Sequence, residues 1–207
     1  MYSVEMKNAV SSAQSCIDMC CGPQNVAVKT AEYISAFAKY LDVLDPSGID
    51  FTKTGFFAGI RIKKYWELFA EHYSKVQTLT GELKKNRLIA ENTLTTLKRE
   101  LGTYKTALDS FMAGFSENAD SELLDQKMVA LNMKGILENT VAEYTALTER
   151  LSGITTTAAD VFTNAVLIAR VNYQINLTGG EQISGVSGKA DIAGFSSGFS
   201  RLYSMCR

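Results

Sequence analysis

The fold of this chain is decided by residues 62–115, which read IKKYWELFAEHYSKVQTLTGELKKNRLIAENTLTTLKRELGTYKTALDSFMAGF. Apolar side chains recur every three or four residues, and no proline interrupts the stretch. This spacing predicts a long amphipathic helix with a seam that repeats every seven residues. Such a helix would be roughly 80 Å long, so a partner of similar length is needed to bury its seam. The seam comprises Ile62, Trp66, Phe69, Tyr73, Val76, Thr80, Leu83, Arg87, Ala90, Leu94, Leu97, Leu101, Tyr104, Leu108, Phe111 and Phe115.

A second stretch, residues 121–176, repeats the pattern at a matching length. The link between the two stretches is short, and short links favour antiparallel neighbours. The sequence therefore predicts a long antiparallel helical hairpin that resembles a coiled coil. The second seam comprises Met133, Leu137, Thr140, Tyr144, Leu147, Leu151, Ile154, Ala158, Val161, Ala165, Ile168, Asn172 and Ile175.

Two shorter helices are predicted ahead of the hairpin, at residues 3–20 and 26–44, since apolar residues again follow helical spacing. Turn residues at 22–25 separate them, and the sequence Asp-Pro-Ser-Gly at 45–48 ends the second helix. We predict a loop at residues 49–59, with Phe51, Phe56 and Phe57 packed under neighbouring helices. The alternative is that these phenylalanines form an exposed contact patch. The predicted fold class is all-α.

The composition changes after residue 176. Six glycines fall between residues 179 and 198, and glycine at that density disfavours a helix. Large apolar side chains are interspersed, which is not typical of a pure linker. We therefore predict a helical bundle domain at 1–176 and an extended Gly/Ser-rich arm at 177–207. The arm would lie on its own hairpin or on a neighbouring subunit.

No pattern in the sequence indicates catalysis. His72 is the single histidine, and no catalytic triad, zinc-protease, phosphate-binding-loop or dinucleotide-binding motif is present. Cys16 and Cys20 are four residues apart, with Cys21 beside them, but no C-x-x-C motif or nearby histidine supports a metal site. We interpret Cys16 and Cys20 as small fillers of a buried helix face. The predictions are that the protein is not an enzyme and has no catalytic, cofactor or metal site.

The net charge of −1 argues against a general nucleic-acid-binding protein, which needs a basic surface to neutralise phosphates. No signal peptide is visible at the N-terminus, and no apolar run is long enough for a transmembrane helix. We predict a cytoplasmic or virion location.

Two groups of residues are candidate interfaces. The first lies within two turns of the long helix, where clustered aromatic side chains are typical of interaction hot spots; the alternative is that they belong to the core. The second is the apolar set of the predicted arm. The candidate interface residues are Tyr65, Trp66, Phe69, Tyr73, Ile183, Val186, Ile192, Phe195, Phe199, Leu202 and Tyr203.

The long hairpin, the two short helices and the apolar arm favour a structural or assembly protein. It would form homo-oligomers through helical faces and an apolar C-terminal arm, as virion, injection-machine and filament subunits do. Extra apolar residues outside the two seams, Leu88 and Ile89 among them, favour more than one partner surface. The alternative is a membrane-active protein, because residues 154–180 carry only Asp160 and Arg170 as charges. In this respect the chain is loosely similar to helical pore-forming toxins. An adaptor for a different protein is a third possibility.

Overall fold

The structure is a computed structural model that describes residues 4–22, 25–115, 121–175 and 191–207. Helices account for all regular secondary structure in these residues, and none of them lies in a strand. The predicted all-α class is therefore confirmed. The helices are α1 (Val4–Cys21), α2 (Val26–Val43), a 3₁₀ turn (Pro46–Gly48), α3 (Phe56–Ala113), α4 (Ser121–Tyr173) and α5 (Ile192–Cys206).

The chain divides into two compact units. The first comprises Met1–Lys29 and Asn86–Glu149, and the second comprises Thr30–Lys85 and Arg150–Arg207. Helices α2, α3 and α4 each contribute residues to both units. The predicted boundary at residues 176 and 177 falls within the second unit, to which α5 belongs.

The long helix α3 begins at Phe56, so the predicted loop at residues 56–59 is wrong. Gly55 precedes it with a φ of 140°, a backbone conformation that side-chain-bearing residues rarely adopt. This glycine lets the chain turn sharply into α3. The helix then continues through Gly81 and Gly102. Every residue of its predicted seam is buried or partly buried, and in the second seam Asn172 alone is exposed.

The core of the first unit joins α1 to its portions of α3 and α4. The Tyr104 hydroxyl donates a hydrogen bond of 2.9 Å to the Ala130 carbonyl oxygen, and Lys105 pairs with Glu138 at 2.8 Å. Both contacts join α3 to α4. The buried members of this core are Met6, Ala9, Ala13, Ile17, Tyr104, Leu108, Ala130, Met133 and Leu137.

Residues 192–206 form helix α5, so the prediction of an extended conformation is wrong for this part of the C-terminal segment. Asp191 caps the helix by accepting a 2.9 Å hydrogen bond from the Gly194 amide. Gly198 lies where α5 meets α4, and a side chain there would clash with Val161. Two of the six glycines thus serve helix capping and close packing. Residues 177–190 of the predicted arm lie outside the described residues.

Candidate interaction surfaces

An aromatic cluster fills the core of the second unit. Trp66 is fully buried, and its ring centroid lies 5.5 Å from that of Phe69 and 5.5 Å from that of Phe195. Tyr65, Phe51 and Tyr173 also contact Trp66, at centroid distances of 5.0, 5.8 and 6.0 Å. Ring pairs at these separations add specific edge and face contacts to ordinary apolar burial. The cluster therefore joins residues from α3, α4, α5 and the segment before α3.

The cluster contains most of the predicted interface residues. Tyr65, Trp66, Phe69 and Tyr73 are buried in α3, and Phe199 and Leu202 are buried with Phe195 in α5. Ile192 and Tyr203 are partly exposed. Ile183 and Val186 lie outside the described residues. The two predicted groups are brought together within one chain, so in this conformation the buried members have no surface to offer a second molecule.

Polar contacts fix both ends of α5. The Asn164 amide donates to the Asp191 carbonyl oxygen at 2.6 Å and accepts from the Asp191 amide at 3.2 Å. At the other end, the Arg150 guanidinium donates to the carbonyl oxygen of Met205, and the Tyr203 hydroxyl bonds to the Asp42 carboxylate. These bonds set the register of α5 against the rest of the second unit.

The Tyr65 hydroxyl has a partner inside this core. It donates a 2.9 Å hydrogen bond to the Leu44 carbonyl oxygen at the end of α2. Burial, with a smaller contribution from the Asp45 carboxylate, raises the pKa of Tyr65 well above its usual value. Tyr65 therefore stays neutral and serves as a structural donor. The buried indole nitrogen of Trp66 has no hydrogen-bond partner among the described residues.

Helix α4 presents apolar side chains to solvent within the first unit. Five large ones, between 41% and 61% exposed, fall within thirteen residues. Spacings of three, four and seven residues place them on adjoining faces of the helix. We call this set the α4 stripe, and it comprises Leu124, Met128, Val129, Leu131 and Ile136.

The α4 stripe was missed by the sequence analysis. Its residues precede or flank the second seam, and they are not among the extra apolar residues that favoured further partner surfaces. The sequence does contain evidence for this surface. Residues 122–131 read Glu-Leu-Leu-Asp-Gln-Lys-Met-Val-Ala-Leu, and their apolar residues occupy more faces of a helix than a single core contact can bury. Leu88 and Ile89, which were noted outside the first seam, are exposed.

The three phenylalanines predicted to pack under neighbouring helices have different environments. Phe51 is buried, as predicted, but Phe56 and Phe57 are 78% and 81% exposed. Their packing was therefore predicted wrongly, and the alternative of an exposed patch holds for these two. They lie at the start of α3, in T-shaped contact at 5.7 Å between ring centroids.

The cysteines are suited to packing rather than to chemistry. Cys16 and Cys20 are buried on one face of α1, as predicted, and Cys21 is exposed. Burial is the main cause that raises the pKa of Cys16 and Cys20. Burial also raises the pKa of Cys206 to about 11, although Arg150 opposes the shift. Since the thiolate is the nucleophile, the three buried thiols are poorly reactive at neutral pH.

Other chemical groups are sparse in the described part of the chain. No group of three or more His, Cys, Asp or Glu side chains there has the arrangement to hold a metal ion. The ring of His72 lies 5.8 Å from that of Tyr40.

One described helix is long and apolar enough, by length and composition alone, to cross a membrane. It is α4 (Ser121–Tyr173), and half of its most apolar window is buried within the chain. Core helices of soluble proteins meet the same criterion, so this is weak evidence for a membrane span. Comparisons with protein-family models, curated proteins and solved structures found no significant match to the chain.

Proposed function

We propose that this protein is a non-enzymatic assembly subunit that forms homo-oligomers through exposed helical faces. The observation that carries the proposal is the α4 stripe, in which five large apolar side chains are exposed within thirteen residues of a helix that is buried on another face. Scattered apolar residues are normal on a protein surface, whereas contiguous patches mark interaction sites. A virion, injection-machine or filament subunit fits this description, and no nucleic acid is expected as a partner.

The α4 stripe is suited to meeting a second copy of itself. From Leu124 to Ile136 it is about 18 Å long, which is the scale of a compact helix-to-helix contact. In a contact with twofold symmetry, the same surface of both copies would be buried. A stable interface needs about 800 Å² from each partner, so neighbouring residues must contribute to it.

We also infer that α3 and α4 pair in antiparallel fashion in each unit, as the seams predict. In the first unit, the Lys127 amine lies over the Phe115 ring at 4.8 Å, and Lys105 pairs with Glu138 farther from the connection. In the second unit, Phe69 contacts Phe162 while Trp66 contacts Tyr173. In both cases the residue number falls along α3, or from Phe115 just after its end, as it rises along α4.

The proposal is tested by measuring molar mass with light scattering over a range of concentrations. We expect the wild-type chain to form oligomers and M128E/L131E to be monomeric, because charges on the stripe oppose its burial. V4E/M19E is the matched control, since Val4 and Met19 are exposed apolar residues on α1 in the same unit. A wild-type monomer at all concentrations, or an M128E/L131E variant with the wild-type mass, would contradict the proposal.

A membrane-active protein is the second candidate, favoured by the length and composition of α4. Asp160, Asn164 and Arg170 oppose it, because polar and charged side chains are costly at membrane depth. Release of a dye trapped in liposomes would distinguish the two functions. We expect no release from the wild-type chain, and rapid release by a monomeric chain would favour this second candidate instead.

A further inference from the structure

The start of α3 carries an exposed apolar tip beside basic side chains. Phe56 and Phe57 are the most exposed large apolar residues in the described part of the chain, and Ile60 is 39% exposed one turn later. Arg61 and Lys64 follow on the same helix and are exposed. We call Phe56, Phe57, Ile60, Arg61 and Lys64 the Phe56 patch.

A pocket of about 520 Å³ adjoins this tip. Phe57, Ile60, Arg61 and Lys64 contribute to its lining from α3, and Gly48, Ile49, Asp50 and Lys53 contribute from the segment before α3. Apolar and cationic groups therefore face the same space, and the one carboxylate among these lining residues, that of Asp50, is paired with Lys53. This combination suits a ligand that is anionic at one end and apolar at the other.

The charges of the patch are not neutralised by their neighbours. Lys53 pairs with Asp50 at 3.6 Å, and Lys63 pairs with Glu67 at 3.9 Å. Arg61 and Lys64 form no ion pair with any residue that the structure describes. Two free cations thus lie next to two exposed phenylalanine rings, although the whole chain has a net charge of −1.

We propose that the Phe56 patch binds the surface of an anionic phospholipid membrane. The rings of Phe56 and Phe57 enter the boundary between headgroups and acyl chains, and Arg61 and Lys64 pair with lipid phosphates. Peripheral binding of this kind requires exposed apolar side chains together with cations, and both are present here. It does not require α4 to insert, and it is independent of the proposed self-association through the α4 stripe.

A lipid surface fits the patch better than an acidic helical peptide does. The two rings project from the start of a helix with most of their surface free, whereas a helical peptide is held by apolar anchors that enter a groove. Apolar rings that project beside cations are suited to insertion between the headgroups and acyl chains of a lipid bilayer.

The test is co-sedimentation of the full chain with vesicles of phosphatidylserine and phosphatidylcholine, compared with vesicles of phosphatidylcholine alone. We expect binding to the anionic vesicles that weakens as salt is added. F56S/F57S is expected to lower the affinity by at least about tenfold, because each buried ring contributes substantially to partitioning. R61Q/K64Q is expected to lower it by roughly 30-fold through the loss of two cations near the surface.

Matched controls exist within the same unit. V43S/V171S removes two exposed apolar side chains elsewhere, and K75Q/K84Q removes two exposed cations elsewhere. Both are expected to bind vesicles as the wild type does. Phe57→Trp is expected to increase the affinity for anionic vesicles, since tryptophan favours the membrane interface.

Three results would overturn the proposal. The first is a wild-type chain that does not bind anionic vesicles, or that binds neutral vesicles equally well. The second is wild-type affinity in both patch variants. The third is a change in molar mass of F56S/F57S with no change in vesicle binding, which would assign the patch to a contact with protein.

Discussion

Gly198 of α5 lies directly against Val161 of α4. A Cβ atom added to Gly198 would be 2.9 Å from Cγ2 of Val161, a separation that real Cβ atoms essentially never have. Valine has a stiff side chain that cannot easily rotate away. The absence of a side chain at residue 198 therefore lets α5 approach α4 closely enough to bury its aromatic face.

This relationship predicts the effect of Gly198→Ala. Overpacking against Val161 is expected to destabilise the fold by about 1–3 kcal/mol, which outweighs the helix propensity gained. The measurement is the free energy of unfolding in urea. Gly102→Ala is the matched control, because Gly102 is a helical glycine with nothing within 4 Å of an added Cβ; it is expected to stabilise the fold by about 1 kcal/mol. If V161A/G198A is no more stable than the sum of its single variants predicts, the steric account is wrong.

The aromatic cluster predicts a large difference between two phenylalanines. Phe195→Ala should destabilise the fold by about 3–5 kcal/mol, because Phe195 is fully buried among rings. Phe57→Ala should change stability by less than about 0.5 kcal/mol, because Phe57 is exposed. Urea unfolding followed by circular dichroism measures both. Similar costs for the two variants would show that α5 does not contribute to the core.

Some of the helices could be predicted from the sequence, and others could not. The long seams were predictable because an apolar residue every three or four positions is a local pattern. Helix α5 was not predictable in the same way, because glycine lowers helix propensity and tertiary packing overrode that preference. Gly194 and Gly198 have structural roles that appear only once Asp191 and Val161 are in place.

From the sequence, the aromatic residues of the candidate interfaces could be assigned either to the core or to an interface, with no basis for deciding between the two. Trp66 and Phe69 are equally suited to a core and to an interface, and the return of α5 along the same chain decides between them. The contact between α5 and α3 joins residues that are more than 100 positions apart in the sequence. Local periodicity carries no information about such a contact. Phe56 and Phe57 were ambiguous for the same reason.

The environments of the thiols predict selective modification. At about pH 8, Cys21 is expected to react rapidly with a thiol reagent, while Cys16, Cys20 and Cys206 react only on unfolding. The absorbance of the product that the reagent releases gives the number of cysteines that react in the fast phase. Cys21→Ser should remove the fast phase completely. A fast phase that persists in this variant would show that a buried face of α1 or α5 opens in the folded chain.

The raised pKa of Cys206 predicts a loss of stability in alkali. Its folded pKa of about 11 lies above the unfolded value of 9.0, so protons leave the unfolded state first as the pH rises. The free energy of unfolding should therefore fall between about pH 9 and pH 11. Tyrosines with raised pKa values act in the same direction, so the comparison is with Cys206→Ala, which should show a shallower fall. Equal slopes for the two proteins would contradict this assignment.

Spin labels provide the most direct measurement of self-association through the α4 stripe. A single label at residue 128, introduced as Met128→Cys in a Cys21→Ser background, should give a strong dipolar signal between copies, because packed helix axes are about 8–10 Å apart. A label at residue 88, introduced as Leu88→Cys, should give a longer distance or none. A signal between copies at residue 88 but not at residue 128, or at neither residue, would contradict the account.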